Sequence, residues 1–269
     1  MPLSDDSTAD PDGRLHAVRR GAGPPVVLAH GFTQTHRIWG GIDQDLTGGR
    51  TVVAVDLPGH GGSDTVRAGL GAGALLLGAA GGRADYLGYS MGARFCLHLA
   101  LARPELVRTL VLVSGTAGID DVVERAERRR ADEALAERLD PLGGGVPLDT
   151  VATFVDRWVA NPMFGPTADR ADDVEERRTN TAAGLASSLR LAGTGAQDPL
   201  WDDLARLTMP LLVVTGGRDA KFAALGRRLT ASWGGPATHA TIDGTHHAPH
   251  LQQPAEVAEV VRSFLDASG

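Results

Sequence analysis

The sequence has very little cysteine, since only Cys96 occurs among its 269 residues. A lone cysteine excludes an internal disulfide and a metal site built on several thiolates. Cys96 falls in a predicted helix, where we expect a small, buried apolar side chain; a catalytic thiol is the less favoured alternative.

Long hydrophobic runs are also missing, although 42% of the residues are hydrophobic. No apolar run approaches the roughly 20 residues that a membrane-spanning helix requires, so the sequence predicts no membrane insertion. The first 13 residues are polar and acidic and do not resemble a secretory signal. We therefore expect a flexible tail over residues 1–13 and a cytoplasmic protein.

Positive charge is in deficit, with 26 Lys and Arg residues against 33 Asp and Glu residues and a formal net charge of -7. A surface of this sign disfavours binding to nucleic acid or to an anionic membrane. To bind an anionic small molecule, the protein would need a local cluster of arginines that outweighs its overall negative charge.

Short apolar runs alternate with helical patterns along most of the chain. Four of the runs are continuous and predict strands buried on both faces: 26–29, 51–56, 109–114 and 211–215. The alternation predicts an α/β fold with a mostly parallel central sheet and helices on both faces. It stops between residues 118 and 203, so we expect a helical lid over 118–203 inserted into a core of residues 14–117 and 204–269.

The predicted lid is rich in charge of both signs. Glu124 and Arg128 are spaced to pair at i and i+4 on a solvated helix face. Residues 175–191 predict a further helix, or a pair of helices interrupted around Gly184. An insertion at this point of the chain is well placed to cover a site on the sheet.

A Gly-x-Ser-x-Gly pattern occurs at Gly88–Gly92, with Ser90 at its centre. A short apolar run precedes it, and an apolar pattern typical of a buried helix follows over residues 93–102. In such a strand-turn-helix context, small flanking residues allow the sharp turn that exposes a serine hydroxyl above a sheet. The pattern alone carries little weight among 35 glycines, and the context is what indicates a nucleophile.

A serine hydroxyl needs a base to remove its proton and an acid to orient that base. Asp219 follows the strand predicted at 211–215, and His247 follows a further apolar run at 238–242, in the chain order that such sites use. Asp219 is also placed to cap the next helix. Asp243 is the less favoured acid, because it lies only four positions from His247 in the same loop.

The three neighbouring histidines His246, His247 and His250 raise the alternative of a metal site. No carboxylate or cysteine is spaced with them as a known ligand set, so we predict no metal. His246 is the alternative candidate for the base.

His30-Gly31-Phe32 comes directly after the strand predicted at 26–29. Folds of this kind direct a backbone N–H from this place toward the reacting oxygen. For His30 we expect a structural hydrogen-bonding role. We expect a packing or hydrogen-bonding role for His60, in the glycine-rich turn that follows residue 56.

These motifs resemble the α/β-hydrolase superfamily and, more narrowly, the 2-succinyl-6-hydroxy-2,4-cyclohexadiene-1-carboxylate synthase family of menaquinone biosynthesis. The narrower resemblance extends over nearly the whole chain after about Pro25 and includes the predicted lid. It rests on Trp158 and on six segments: 56–63, 88–94, 125–128, 162–164, 178–180 and 217–222. The chain departs from the family pattern at His246, where glycine is usual.

The resemblance implies a set of site residues. The implied catalytic residues are Ser90, Asp219 and His247, and the implied oxyanion hole consists of the backbone N–H groups of Phe32 and Met91. The implied carboxylate-binding residues are Arg94, Arg128 and Arg178, and the implied pocket walls are Tyr89, Trp158 and Phe164. Guanidinium groups bind carboxylates through paired hydrogen bonds, and an arginine four residues after the serine has little reason to be present in a plain esterase.

The reaction that the resemblance implies is an elimination. Ser90, deprotonated through His247, would remove the proton next to a succinyl carbonyl, and the oxyanion hole would stabilise the resulting enolate. Pyruvate would then leave. The implied partner is a small polycarboxylate substrate, and no metal or organic cofactor is needed.

Two alternatives stay open. A carboxylic-ester or carbon-carbon bond hydrolase would use the same three residues through an acyl-enzyme and would tolerate loss of the arginines. A non-catalytic binding protein of the same fold is disfavoured, because the serine, the acid and the histidine are all present.

Overall fold

The computed structural model describes residues 13–142, 144–166 and 171–268, so the predicted tail lies outside the described residues except for Gly13. The described residues contain one seven-stranded sheet with the order β1-β3-β2-β4-β5-β6-β7. Its strands are β1 Ala17–Gly21, β2 Pro25–Ala29, β3 Thr51–Val55, β4 Ala84–Tyr89, β5 Val107–Val113, β6 Leu211–Gly216 and β7 Ala237–Ile242. The pairing of β1 with β3 is antiparallel, and all the other pairings are parallel. The prediction of a mostly parallel sheet is confirmed.

Ten α-helices lie in the described residues: α1 Ile42–Leu46, α2 Leu70–Gly81, α3 Met91–Ala102, α4 Val122–Leu139, α5 Val151–Val159, α6 Ala171–Arg178, α7 Ala182–Ala192, α8 Ala220–Ser232, α9 Pro249–Gln252 and α10 Pro254–Ala267. Helices cover both faces of the sheet, as its buried strands require. One core contains Leu77 of α2, Leu97 of α3 and Leu229 of α8. The core on the other face contains Ile42 of α1 and Val261 of α10. Cys96 is buried in the first of these cores, as predicted.

The described chain between β5 and β6 forms helices α4 to α7 and short 3-10 turns, one of which is Pro162–Phe164. These helices share a small apolar cluster of their own, which includes Leu139, Phe154 and Leu185. The predicted break around Gly184 is wrong. The chain leaves helix after Arg178 and begins α7 at Ala182, because Thr181 caps α7 by accepting a hydrogen bond from the Gly184 N–H at 3.1 Å.

The predicted pair of Glu124 with Arg128 is also absent from the ion pairs of the described residues. Arg128 instead binds Asp132, one turn further along α4, with 2.8 Å between Nε and Oδ1. Asp132 is buried, so its carboxylate draws the guanidinium toward the inside of the lid rather than toward the solvated face.

The turn between β4 and α3 brings three backbone segments unusually close together. Ser90 joins the two elements with φ 50° and ψ -104°. A Cβ on Gly92 would lie 1.9 Å from the carbonyl oxygen of Ala29, and a Cβ on Gly88 would lie 2.6 Å from the backbone of Ala93. Only glycine fits at these two positions, so the start of α3 lies directly against the end of β2.

This close approach predicts a large cost for a single methyl group at Gly92. We expect Gly92→Ala to lower the free energy of unfolding by roughly 2–4 kcal/mol, because the backbone of β2 must move. Gly71→Ala is the matched control, since a Cβ there meets nothing within 4 Å, and it should stabilise the helix by at most about 1 kcal/mol. Urea denaturation measures both, and equal effects of the two substitutions would contradict the prediction.

Candidate active site

Ser90, His247 and Asp219 form a continuous chain of hydrogen bonds. The Ser90 hydroxyl donates to His247 Nε2 at 3.1 Å, and His247 Nδ1 donates to Asp219 Oδ2 at 3.0 Å. An ionised carboxylate only accepts hydrogen bonds, which fixes the proton of the neutral imidazole on Nδ1 and leaves Nε2 to take the serine proton. This is the connectivity that an activated serine requires.

The carboxyl ends of parallel strands bring these residues together. Ser90 follows β4, Asp219 follows β6 and His247 follows β7, and parallel strands end at the same edge of the sheet. The other carboxylate oxygen of Asp219 accepts from the Phe222 N–H at 3.1 Å, so Asp219 also caps α8, as predicted. The structure therefore places Asp219, and not Asp243, against the imidazole.

The side chain of His247 is buried among aromatic rings. Its ring contacts Phe222, Tyr89 and Phe164, with centroid distances of 4.2, 5.6 and 5.9 Å. Burial disfavours the charged imidazolium and lowers the pKa of His247 below 6.5, while the hydrogen bond and charge of Asp219 oppose that shift. The neutral, proton-accepting form is therefore favoured at neutral pH.

Phe32 and Met91, the predicted oxyanion-hole residues, both line the cavity above Ser90. The Met91 amide begins α3, and an amide in the first turn of a helix has no partner within that helix. Phe32 follows β2, which the Gly92 contact holds against the start of α3. His30, by contrast, has the expected structural role, because its Nε2 accepts from the Leu57 N–H at 3.0 Å.

The cavity has a volume of about 630 Å³, a size typical of small-molecule sites, and its wall combines apolar side chains with many charged ones. The predicted wall residues Tyr89, Trp158 and Phe164 all line it. Its cationic lining residues are Arg94, Arg128, Arg177, Lys221 and Arg228. Its acidic lining residues are Asp120, Asp121, Glu124, Asp132 and Asp219.

Arg94 is a buried cation of this cavity that lacks a full set of hydrogen-bond partners within the described chain. It is 5% exposed, and its Nη1 has no hydrogen-bond partner among the described residues. Burial lowers the pKa of Arg94 to about 10, and the nearby Arg128 adds to the shift while Asp132 opposes it. A buried guanidinium with an unsatisfied nitrogen is costly unless an anion joins it.

Two other cations of the cavity already have partners. Arg128 pairs with Asp132, as described above. Arg228 pairs with Asp120 at 2.5 Å, and its guanidinium stacks 3.8 Å from the centroid of Trp201. Arg94, Arg177 and Lys221 are the remaining cations of the cavity, and of these Arg94 and Arg177 are buried.

The structure places Arg178 outside this cavity, contrary to what the resemblance implies. Arg178 binds Asp156 and Glu175 on the outer side of the lid, each at 2.5 Å. Arg177 is buried and lines the cavity instead. Successive residues of a helix point about 100° apart, so only one of two adjacent arginines can face inward.

Sequence reasoning missed Arg177, Lys221, Arg228 and Ser114 as cavity residues. Ser114 follows β5 with φ 48°, and its buried hydroxyl has no hydrogen-bond partner among the residues described. A polar residue directly after a buried strand is a usable sequence signal for Ser114. Arg177 carries no such signal, because the charged sequence of α6 does not reveal which side faces inward.

The loop that carries His247 is hydrogen-bonded to the lid. The His247 N–H donates to the Met163 carbonyl at 3.1 Å. Gln252 bridges the same two segments, accepting from the His246 N–H at 2.6 Å and donating to the Phe164 carbonyl at 3.0 Å. His246 therefore contributes its backbone N–H to this connection, whereas the ring of His247 contacts Ser90.

One cluster of three potential metal ligands occurs in the described part of the chain, away from the histidines considered above. It consists of His16, His36 and Asp56. Both Nδ1 atoms hydrogen-bond to the Asp56 carboxylate, at 2.9 Å from His16 and 3.0 Å from His36. Hydrogen bonding accounts for this proximity.

Among the residues that the structure describes, no helix is both long and apolar enough to cross a membrane.

The buried imidazole generates a pH prediction. We expect the rate at which a fluorophosphonate modifies Ser90 to fall in acid with a midpoint below pH 6.5, because burial keeps His247 neutral to lower pH. Asp219→Asn removes the charge that raises this pKa, so the midpoint should move lower still. The plateau rate should also fall, by about 10²–10⁴-fold, because the imidazole loses its orienting partner. Rates of inactivation measured against pH test both, and an upward shift in Asp219→Asn would contradict the assignment.

Comparison with known proteins agrees with this fold over most of the chain. A profile described as the alpha/beta hydrolase family matches residues 26–260. The putative 2-succinyl-6-hydroxy-2,4-cyclohexadiene-1-carboxylate synthase of Bacillus subtilis is 30% identical over 91% of this chain and 91% of its own length. The pimeloyl-[acyl-carrier protein] methyl ester esterase of Xanthomonas campestris is 33% identical over 94% of this chain and 99% of its own.

A solved structure extends the likeness to three dimensions. MenH from S. aureus superposes with a TM-score of 0.84 at 26% identity, covering 94% of this chain and 98% of that one. The synthase and the esterase show that relatives of similar identity fall in different reaction classes. The chain belongs to the alpha/beta hydrolase family and is an enzyme of that fold, in the lyase or hydrolase class.

Proposed function

We propose that this chain is a carbon-oxygen lyase of menaquinone biosynthesis. Its proposed substrate is 2-succinyl-5-enolpyruvyl-6-hydroxy-3-cyclohexene-1-carboxylate, from which it eliminates pyruvate to give 2-succinyl-6-hydroxy-2,4-cyclohexadiene-1-carboxylate. Synthase relatives covering nine-tenths of the chain support this assignment. The observation that carries it is the buried guanidinium of Arg94, four residues after Ser90 in the same cavity, whose Nη1 has no hydrogen-bond partner among the described residues.

The charges of the cavity suit this substrate. The substrate has a carboxylate on the ring, another on the succinyl arm and a third on the enolpyruvyl group. Arg94, Arg128 and Arg177 line one cavity with Ser90, and guanidinium groups hold carboxylates through directed, charge-assisted hydrogen bonds. Several such contacts fix the orientation of a small ring, so they can bring one particular C–H bond to the serine.

The proposed reaction uses Ser90 as a base. His247 takes the hydroxyl proton, and the Ser90 oxygen then removes the ring proton next to the succinyl carbonyl. The electrons pass onto the carbonyl oxygen, which the amides of Phe32 and Met91 stabilise. The enolate re-forms the carbonyl as the ring double bond shifts and the bond to the enolpyruvyl oxygen breaks. The expelled enolpyruvate gains a proton on carbon and becomes pyruvate.

A serine hydrolase is the second candidate function, supported by the 33% identical esterase and by the hydrogen bond between Ser90 and His247. In that reaction the Ser90 oxygen attacks a carbonyl carbon, forms an acyl-enzyme and releases it to water. The two functions differ in what the serine oxygen meets first, a hydrogen atom or a carbonyl carbon. Arginines in the cavity that orient a polycarboxylate favour removal of a hydrogen atom, and therefore the lyase reaction.

The elimination predicts pyruvate release that depends on both Ser90 and Arg94. Lactate dehydrogenase coupling should detect pyruvate from the cyclohexene substrate with the wild type and none above background with Ser90→Ala. Arg94→Ala should lose about 10- to 100-fold in kcat/KM, the worth of one or two charge-assisted hydrogen bonds. Arg206→Ala is the matched control, because the Arg206 side chain is 71% exposed and pairs with Asp203, its neighbour in the same 3-10 helix.

A nitrophenyl ester assayed in parallel separates the two reaction classes. Ester turnover that needs Ser90 but not Arg94, without any pyruvate, would overturn the lyase proposal in favour of the hydrolase.

Adjacent arginines of α6 provide a second prediction. Arg177→Ala should reduce kcat/KM for the polycarboxylate by at least about tenfold, since it removes a buried cation from the cavity. Arg178→Ala should cost much less, because that guanidinium binds Asp156 and Glu175 at the surface. Steady-state kinetics of the two variants test which arginine binds the substrate. A larger loss of kcat/KM for Arg178→Ala would show that Arg178, and not Arg177, has this role.

A further inference from the structure

Thr33 has a backbone conformation that its residue type avoids. Its φ is 67°, and it is one of three non-glycine residues with positive φ in the described chain, the others being Ser90 and Ser114. A β-branched residue in the left-handed region is strained, and such strain persists only where the surroundings fix it. Thr33 comes directly after Phe32, whose amide belongs to the proposed oxyanion hole.

Side chains from distant parts of the chain bind every polar group of Thr33. Its N–H donates to His60 Nε2 at 3.2 Å. Its hydroxyl oxygen accepts from Arg177 Nη1 at 2.5 Å, and its carbonyl accepts from Asn180 Nδ2 at 2.8 Å. All four residues are buried, so water cannot replace these hydrogen bonds cheaply.

Two of these partners lie at the carboxyl end of α6, in the lid. Asn180 connects three segments, because its Oδ1 also accepts from the Gly61 N–H at 3.0 Å and its Nδ2 donates to the Arg177 carbonyl at 2.9 Å. Arg177 Nη1 also approaches the Phe32 carbonyl at 3.4 Å. The lid therefore binds the loop after β2 on both sides of the Phe32–Thr33 peptide bond.

We propose that Asn180 and Arg177 are positioning residues that hold Thr33 in its strained conformation and thereby set the position of the Phe32 amide. The inference rests on the proposed function only in taking that amide as an oxyanion-hole donor. Gly31 is fixed by the Gln34 side chain at 2.9 Å and by the end of β2. If Thr33 relaxed to negative φ, the change would have to be absorbed at Phe32 or at Gln34, and absorption at Phe32 would turn its amide away.

A small rotation of this amide matters, because donors must lie about 2.7–3.1 Å from the developing oxyanion to act on it. Losing one such donor costs roughly 10²–10³-fold in kcat. Partial displacement should cost less than that, and it should affect the transition state more than substrate binding.

Asn180 is the cleaner position for a test, since it does not line the cavity, whereas Arg177 does. Asn180→Asp keeps an oxygen that accepts from the Gly61 N–H but removes the donor to the Thr33 carbonyl. We expect kcat to fall about 10- to 100-fold with KM changed less than threefold and the acid midpoint of the pH profile unchanged. Thr179→Ala is the control, because the hydroxyl of this exposed neighbour donates to the Glu176 carbonyl of its own helical turn at 2.7 Å.

The reaction of Ser90 with a fluorophosphonate, followed by intact mass, gives a readout that does not depend on the natural substrate. Phosphonylation places a P=O oxygen where the oxyanion forms, so its second-order rate should fall with kcat in Asn180→Asp. If the wild type released no pyruvate but was phosphonylated, the lyase proposal would fail and this test would still stand. An unchanged phosphonylation rate in Asn180→Asp would overturn the positioning role.

A double-mutant comparison with Thr33→Gly separates positioning from general loss of stability. If Asn180 acts by holding Thr33 at positive φ, Asn180→Asp should slow the Thr33→Gly protein much less than it slows the wild type, because glycine adopts positive φ without strain. Multiplying losses would show that Asn180 acts elsewhere. A lowered thermal midpoint with unchanged phosphonylation per folded molecule would reduce Asn180 to a purely structural residue.

Discussion

The contact of Gly92 with the Ala29 carbonyl is the constraint on which the site depends. Because no side chain separates them, the first turn of α3 lies against the end of β2. This brings the Met91 amide, at the start of that helix, toward the loop that carries Phe32. Ser90 is held between the two by a backbone that only a sharp strand-to-helix turn allows. The contact between the backbones of Gly92 and Ala29 thus determines where Ser90 and the two amides lie relative to one another.

In the proposed function, the charges of the cavity select the substrate that Ser90 acts on. The chain is acidic overall, yet Arg94 is buried in the cavity of Ser90, and its Nη1 finds no hydrogen-bond partner in the part of the chain that the structure describes. An anionic ligand that occupies this position recovers part of the cost of burial, so binding energy is directed to one orientation of the substrate. The same hydrogen-bonded Ser90 and His247 could serve as base or as nucleophile. The proposed difference lies in which substrate atom the arginines bring to the serine oxygen.

The lid has two connections to this machinery. Its 3-10 turn is bound to the loop of His247 through the Met163 carbonyl and Gln252. The end of α6 is bound to the loop of Thr33 through Arg177 and Asn180. Both His247, the proposed base, and Phe32, the proposed oxyanion donor, therefore have neighbours in the segment between β5 and β6. This offers a physical route by which the insertion can influence the reaction as well as the shape of the pocket.

Local signals in the sequence determined the framework. Continuous apolar runs specify buried strands wherever they fold, and glycines flanking Ser90 specify a tight turn. The positions of Asp219 and His247 directly after strands follow from the edge at which parallel strands end. Arg94 could be placed for the same reason, because it lies on the first turn of a helix whose start is fixed by the serine.

The tertiary structure decided which side of each lid helix faces inward. Arg177 and Arg178 are equivalent in sequence, and only the packing of α6 against the loop of Thr33 turns one to the cavity and the other to Asp156. Arg128 likewise meets Asp132 because that carboxylate is buried. Charged helices lack an apolar stripe that would reveal their inner face, so the rotation of such a helix is fixed by contacts with residues far away in the chain.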